Sequence, residues 1–460
     1  MKDLTQGSIL KHIASMATPL AIGMLTQIAY QIIDLYFITK IGVAETAGVS
    51  AAGNIFLLVA SLTQVLGVGV TALVAQAAGR RDRSDASLVF NQALGFSAVF
   101  GMAMMLLLYT SSMQYLKAVA PDKATVEAGL TFIYWIAPGY ALTLPTVVMS
   151  SALRGAGINK PTVALYILTV LVNAALAPIL IAGWGTGVPL GVMGAGLATT
   201  IATASGLLFF AIYCHRSHLW TAFDWRLLVP IPKQWLRVLA VGLPAGGDTA
   251  LFFIYNAVVY YSIRDLGSAA QSGFGVGSRV LQTLLLPALC ICLSAGPIAG
   301  QNFGAKNIDR VRQTFIITAV LGSAAMFATT ILIQCQSTAF IGLFDADSST
   351  AHVARCFLEL SSWALVAQAV VTTCSGMFQG FGNTMPALIS SCVRLVLFSG
   401  PAVWLSMQPA FVIDQVWYLS VATLMLQAAV SLWLLRAEFR RHLLPLATPT
   451  TGCMKARQAV

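Results

Sequence analysis

Charge is what this chain of 460 residues has least of, since Asp, Glu, Lys and Arg together make up 9% of it. A soluble domain carries about 25% charged residues, and a chain that is 58% hydrophobic, with a mean hydropathy of +0.81, cannot clothe itself in water. A soluble globule is excluded and an integral membrane protein follows. Histidine is nearly as scarce: the five (His12, His215, His218, His352, His442) lie near the ends of apolar segments, none in an HExxH spacing, so no metal site is expected. The eight cysteines form no CxxC, and Cys290, Cys292, Cys335, Cys374 and Cys392 sit inside apolar runs, where small buried side chains are expected rather than disulfides or ligands. No GxxxxGK(S/T) loop is present, which leaves nucleotide-driven pumping without support. The net charge of +10 comes from basic residues at segment ends rather than from an aromatic-interleaved patch, so nucleic acid is not an expected partner. The first eleven residues are short and polar, without a small-residue cleavage site, and the hydrophobic segment behind them is expected to remain as a helix.

What is there is a series of apolar runs, each near the roughly 20 residues needed to cross a bilayer. Six fall in the first half, near residues 13–38, 51–78, 88–109, 128–149, 162–181 and 192–213. Six more follow near 236–261, 275–299, 315–333, 353–377, 387–405 and 416–435. The expected fold is an all-α integral membrane protein of twelve transmembrane helices in two pseudo-symmetric six-helix lobes. The lobes are read as 1–214 and 235–440, with a cytoplasmic connector at 215–234 and a cytoplasmic tail at 441–460. Of the 26 Lys and Arg, 19 lie at the termini and in alternate loops and five in the opposite loops, while Arg279 and Arg394 fall inside helices. The positive-inside rule then puts both termini in the cytoplasm of a multi-pass inner-membrane protein.

The halves are copies. At one ungapped offset of 225 residues Pro19 falls on Pro244, Gly42 on Gly267, Gln76 on Gln301, Gly79 on Gly304, Gly155 on Gly380, Gly157 on Gly382 and Pro161 on Pro386. Six helices, an even number, separate the copies, so both have the same orientation and their axis runs along the membrane normal, as in carriers with parallel repeats. A central cavity open to one side at a time is the expectation. The copies part at Asp34, which falls on Val259, and at Asn173, which falls on Phe398.

Asp34 lies six residues before Lys40, about 9 Å below the outer end of its segment. A carboxylate there costs at least about 2.5 kcal/mol at full depth unless it faces water or a partner. Gln27, Tyr30 and Gln31 precede it at spacings of seven, four and three, which gives one polar stripe on an apolar helix. Two readings stay open: a proton-binding group of a cavity, or a structural carboxylate paired within the bundle. Asn173 and Thr199 are the other first-half polar groups, each readable as a helix-packing hydrogen bond or as part of the site. In the second half Asp248, Glu359, Arg279 and Arg394 lie within apolar segments, as internal ion pairs or as solute contacts. Tyr255 and Gln368 complete the second-lobe candidates.

The residues resemble the multidrug and toxic compound extrusion (MATE) transporters of the MOP flippase superfamily. The likeness rests on Pro19, Gln27, Asp34 and Gly42; on Gln76 to Gly79; on Leu153-Arg154-Gly155-Ala156-Gly157 before Pro161; and on Gly275-Val276-Gly277-Ser278-Arg279 and Gly300-Gln301-Asn302-Phe303-Gly304-Ala305. It covers about residues 10 to 440. The resemblance implies a V-shaped pair of lobes and efflux of amphipathic, often cationic organic compounds in exchange for protons or sodium ions, without a further cofactor. It implies Asp34 as the coupling acid, with Gln27, Tyr30, Asn173 and Thr199 around it. Two positions depart from the family pattern: Ala177 stands where some relatives carry a second acid, and Phe252 and Gln368 stand where sodium-coupled relatives carry a glutamate and an aspartate. Fewer anionic oxygens make a poorer sodium site, so protons are the expected coupling ion and sodium the alternative. Asp248 stands one turn from the missing glutamate and is a partial substitute for it.

Small-molecule solutes and the lipid bilayer are the expected partners, and a monomer is expected. A lipid-linked saccharide flippase of the same superfamily shares the topology, but its anionic substrate calls for a cavity rich in Arg and Lys. An intramembrane enzyme needs a nucleophile and base, or metal ligands, converging at depth, and no segment supplies them.

Overall fold

The computed structural model describes residues 3–38, 41–53, 55–119, 122–185, 187–216, 223–342, 347–409 and 411–447. Helices account for nearly all of them: α1 (Ile9–Ile38), α2 (Val43–Gly53), α3 (Ile55–Gly79), α4 (Arg83–Val119), α5 (Lys123–Gly155), α6 (Lys160–Ala182) and α7 (Gly191–Arg216) in the first half. The second half has α8 (Pro232–Ser262), α9 (Ser268–Leu293), α10 (Ala295–Gly304), α11 (Ile308–Gly342), α12 (Ser348–Ser362), α13 (Leu365–Phe381), α14 (Met385–Ser406) and α15 (Ile413–Ala447). Helices α2 and α3 make one span, α9 and α10 another, and α12 and α13 a third bent by 60°, so fifteen helices form the expected twelve crossings.

Most helices outrun their apolar cores. The 88–109 run lies within α4, which extends from Arg83 to Val119, and the 315–333 run lies within α11, from Ile308 to Gly342. Membrane thickness limits the apolar stretch, whereas backbone hydrogen bonding carries a helix on into water. The run at 353–377 is interrupted between Ser362 and Leu365, where no proline stands. Side chains of α11 take up carbonyls at this break: Thr330 Oγ1 donates to Ser362 O at 2.8 Å and Gln334 Nε2 to Glu359 O at 2.8 Å. Such outside partners are what make a broken helix tolerable in lipid.

Backbone geometry repeats with the sequence. Gly157 and Gly382 both turn through φ near +75° (78° and 74°), and two non-glycine residues, Arg81 and Lys306, do so at 59° and 58°. Each pair is 225 residues apart, so the halves share their turns as well as their helices. Residues 217–222 of the connector lie outside the described residues, and residues 227–231 lie along the first lobe: Gln92 of α4 donates to Leu227 O and Val229 O at 2.5 and 2.7 Å and accepts from Ile231 N at 2.9 Å.

The two lobes meet at the end that carries the termini. Gln76 Nε2 donates to Gly380 O at 3.0 Å, and its repeat partner Gln301 donates to Gly155 O at 3.0 Å, so one bond is made twice about the pseudo-twofold axis. Between them Gly79 lies against the carbonyl of Gln301 and Gly304 against that of Gln76, so closely that no Cβ fits at either place. Asp85 adds a cross-lobe clamp, taking Arg237 through both carboxylate oxygens at 2.6 and 3.0 Å and Arg80 at 2.6 Å. The N-terminal segment is sewn into the same junction. Leu4 is fully buried, donates its N–H to Gln301 Oε1 at 3.0 Å and accepts from Asn302 Nδ2 at 3.2 Å.

Gly304→Val, and independently Gly79→Val, are expected to destabilise this closed junction by about 1–3 kcal/mol through overpacking against backbone. The readout is a lower melting temperature of the purified protein in detergent. An unchanged value for both variants would show that the junction is not built on these contacts.

Candidate functional site

Sequence-expected site residues of the first lobe lie on three neighbouring helices. Gln27, Tyr30 and Asp34 belong to the helical backbone of α1, and their side chains lie outside the described residues. Asn173 is fully buried on α6. Thr199 is half-buried on α7, where its carbonyl accepts from Thr203 Oγ1 at 2.9 Å. Packing of α1 on α6, and of α6 on α7, brings the three elements together. Glycines permit it: Gly23 leaves room for the Tyr166 ring and Gly206 for Thr169 and Leu165. Ala177, one turn after Asn173, is fully buried.

The second lobe holds a polar cluster among α8, α14 and α15. Arg394 lies near the middle of the 22-residue α14, and its guanidinium carbon sits 4.6 Å from the centre of the Tyr255 ring. Tyr255 in turn shares a hydrogen bond of 2.6 Å with Ser420 and packs on Phe398 at 4.7 Å between ring centres. Gln427 accepts from Arg394 Nη1 at 3.5 Å and donates to Ser391 Oγ at 2.9 Å. Asp248 lies close to Ser391, and its carboxyl group is within the field of Arg394. Asp248 and Arg394 make no direct ion pair, and Arg394 Nε has no hydrogen-bond acceptor. Opposite charges are thus held near each other with a serine and an amide between them. A cation–π contact worth about 2 kcal/mol when desolvated offsets much of the cost of placing the guanidinium in the bilayer.

The remaining second-lobe candidates lie outside that network. Glu359 is held by Arg355 Nε at 2.7 Å, one turn earlier on α12, and by Ser337 Oγ at 2.8 Å. Gln368 donates to Thr372 Oγ1 at 3.2 Å, a contact within its own helix. Arg279 is exposed on α9 and has no ion pair with a described acid. Sequence reasoning named Asp248, Tyr255 and Arg394 but missed Ser391, Ser420 and Gln427. The signal was available as spacing: Asp248 and Tyr255 are seven apart, as are Ser420 and Gln427, and Ser391 precedes Arg394 by three, so each helix presents one polar stripe.

Two homologous helical lobes, sealed at one end and carrying polar groups at membrane depth, define a membrane carrier rather than an enzyme. Comparison with known proteins gives the family. The MatE family matches residues 19–179 and again 244–404, and the chain belongs to it. Both bounds of the second match stand 225 residues after those of the first. A probable multidrug resistance protein of Bacillus subtilis, YoeA, is 23% identical over 83% of this chain and 84% of its own. A FAD transporter of Shewanella oneidensis is 23% identical over 87% of this chain and 89% of its own. Among solved structures, the outward-facing conformation of a multidrug resistance MATE family transporter of the MOP superfamily superimposes with a TM-score of 0.88 at 22% identity, over 96% of this chain and 98% of that one. This protein is therefore a multi-pass transporter of the multidrug efflux MATE family.

Asp248→Asn is expected to destabilise the second lobe by about 1 kcal/mol, because Arg394 loses a nearby countercharge that it does not contact directly. Adding Arg394→Gln should recover at least half of that loss. Thermal unfolding of the two single variants and the double variant in detergent measures the coupling; strictly additive losses would deny it.

Proposed function

We propose that this chain exports amphipathic, often cationic organic compounds across the inner membrane by antiport with protons, with both termini in the cytoplasm and the monomer as working unit. The observation that carries the proposal is the sealed junction. Lobes joined at one end by a repeated pair of hydrogen bonds and glycine contacts correspond to one state of an alternating-access cycle, with the opposite state reached by opening that end. If the junction faces the cytoplasm, as the distribution of Lys and Arg supports, the state described is the outward-facing one. Residues 1–214 and 235–440 are then the two moving lobes and 215–234 the tether between them.

Asp34 is the coupling acid in this reading, with Gln27, Tyr30, Asn173 and Thr199 as its surroundings. The second lobe supports protons over sodium. Arg394 places a fixed positive charge among α8, α14 and α15, and Phe252 and Gln368 add no anionic oxygen that a hard cation could use. A second reading, export of solutes that carry an anionic group, is favoured by the same arginine and agrees with the kinship to a FAD transporter. It differs in solute class alone and keeps the same cycle.

In membrane vesicles with each gradient imposed separately, Asp34→Asn is expected to abolish proton-driven export while the protein still folds and reaches the membrane. Transport at the wild-type rate by that variant would sink the Asp34 mechanism. A panel of cationic, zwitterionic and anionic amphiphiles, run with a proton gradient alone and then a sodium gradient alone, tests the rest. Export that follows sodium and ignores protons would overturn the proton assignment, and a preference for anionic members would establish the second solute class.

A further inference from the structure

A crevice of about 680 Å³ lies within the first lobe between α1, α6 and α7, near the end that carries the termini. Its walls are apolar, with Pro19, Pro161, Ile158 and Phe209 among them, while Asn159 and Lys160 contribute polar groups. The crevice faces away from the junction between the lobes. On α1, at 100° per residue, Ile9, Ile13 and Met16 form the stripe buried against Ile298 of the second lobe, and Ala14, Ser15 and Thr18 of the crevice wall lie on the opposite stripe. That side of α1 is presented to lipid.

One cation lines it, and helical spacing places two more toward the same end. Lys160 is exposed and lines the crevice. Lys11 precedes Ala14 and Thr18 by three and seven residues on α1, and Arg216 follows Tyr213 and Phe209 by three and seven on α7, so both extend the crevice stripes toward the polar end. None of the three is paired with a described acid. Deeper in, Asn159 is 6% exposed; its amide nitrogen reaches the sulfur of Met16 at 3.2 Å, and its side-chain oxygen has no hydrogen-bond partner. An apolar slot with cationic residues placed toward its mouth matches an acyl chain lying below a phosphate.

We propose that this crevice is a binding site for one anionic phospholipid, drawn from the leaflet on the side of the termini, with its phosphate among Lys11, Lys160 and Arg216 and an acyl chain along Phe209 and Pro161. Basic pockets between transmembrane helices select such headgroups, at roughly fivefold in affinity for each Lys or Arg near the membrane surface. A seated lipid would brace α1 from the side opposite the lobe junction.

Native mass spectrometry of the purified full chain with added dioleoyl phosphatidylglycerol or dioleoyl phosphatidylcholine tests the site. The wild type is expected to bind phosphatidylglycerol in preference, and Lys160→Gln to weaken that binding roughly fivefold. Combining it with Lys11→Gln and Arg216→Gln should weaken it roughly a hundredfold, with phosphatidylcholine binding unchanged. Ala164→Trp keeps every charge and fills the crevice, and it should abolish binding as well. Unchanged phosphatidylglycerol affinity in the triple variant would overturn the proposal. So would full binding by Ala164→Trp, which would reduce the cations to a surface counter-ion layer. The melting temperature of each variant without lipid confirms that it is folded, and the single and triple charge variants provide independent routes to the same answer.

Discussion

The architecture depends on an exchange of helix ends between the lobes. The N-terminal end of α1 does not pack solely within its own half: Ile9, Ile13 and Met16 are buried with Ile298 of the second. Its repeat partner does the converse, since Val238 and Val241 of α8 join the hydrophobic core of the first half. Ile13 corresponds to Val238 and Met16 to Val241 at the 225-residue offset, so each lobe lends the other the same stretch of its first helix. Apolar burial alone has little power to hold helices together in lipid, where tails are as apolar as leucine. Close backbone approach and polar bonds therefore specify the junction, and these are what Gly79, Gly304, Gln76 and Gln301 supply. A seal of this kind is compatible with opening, because its parts are few and its two halves are equivalent.

Much of this was legible in the amino-acid order. The crossings follow from hydropathy and the two lobes from the offset, because a helix breaker or a glycine contact leaves a residue that cannot be exchanged freely. Arg81 and Lys306 show the limit of such reading. Their shared left-handed backbone is invisible as glycine punctuation, yet it is the same turn built twice. The bend between α12 and α13 was not legible either, for it lacks a proline and depends on Thr330 and Gln334 from a neighbouring helix to hold its carbonyls. Partners at long sequence separation leave no periodicity on the segment they support.

Site residues divide in the same way. Charges stand out in an apolar chain, so Asp248 and Arg394 could be found by inspection. The groups that connect them could not, because serine and glutamine are common enough in membrane helices to pass as packing. Glu359 illustrates the reverse case. Its charge drew attention, and the structure gives it a partner four residues away and a serine on the next helix. That arrangement satisfies the carboxylate locally.

The repeat also shows how two copies of one scaffold can do different work. Gly23 meets the Tyr166 ring where α1 and α6 touch; the equivalent residues, Asp248 and Ser391, lie close together where α8 and α14 touch. One contact point is apolar in the first lobe and polar in the second. The positions of Asp34 and Asn173 reverse this, because their counterparts, Val259 and Phe398, are fully buried apolar residues. Each lobe therefore carries an acid on its first helix, but the two stand eleven residues apart in the common frame, about 16 Å along the axis. The second-lobe acid lies nearer the sealed end and is balanced by an arginine; the first-lobe acid lies nearer the other end of its helix. The two acids therefore stand at unequal distances from the junction, in lobes that are otherwise nearly symmetric.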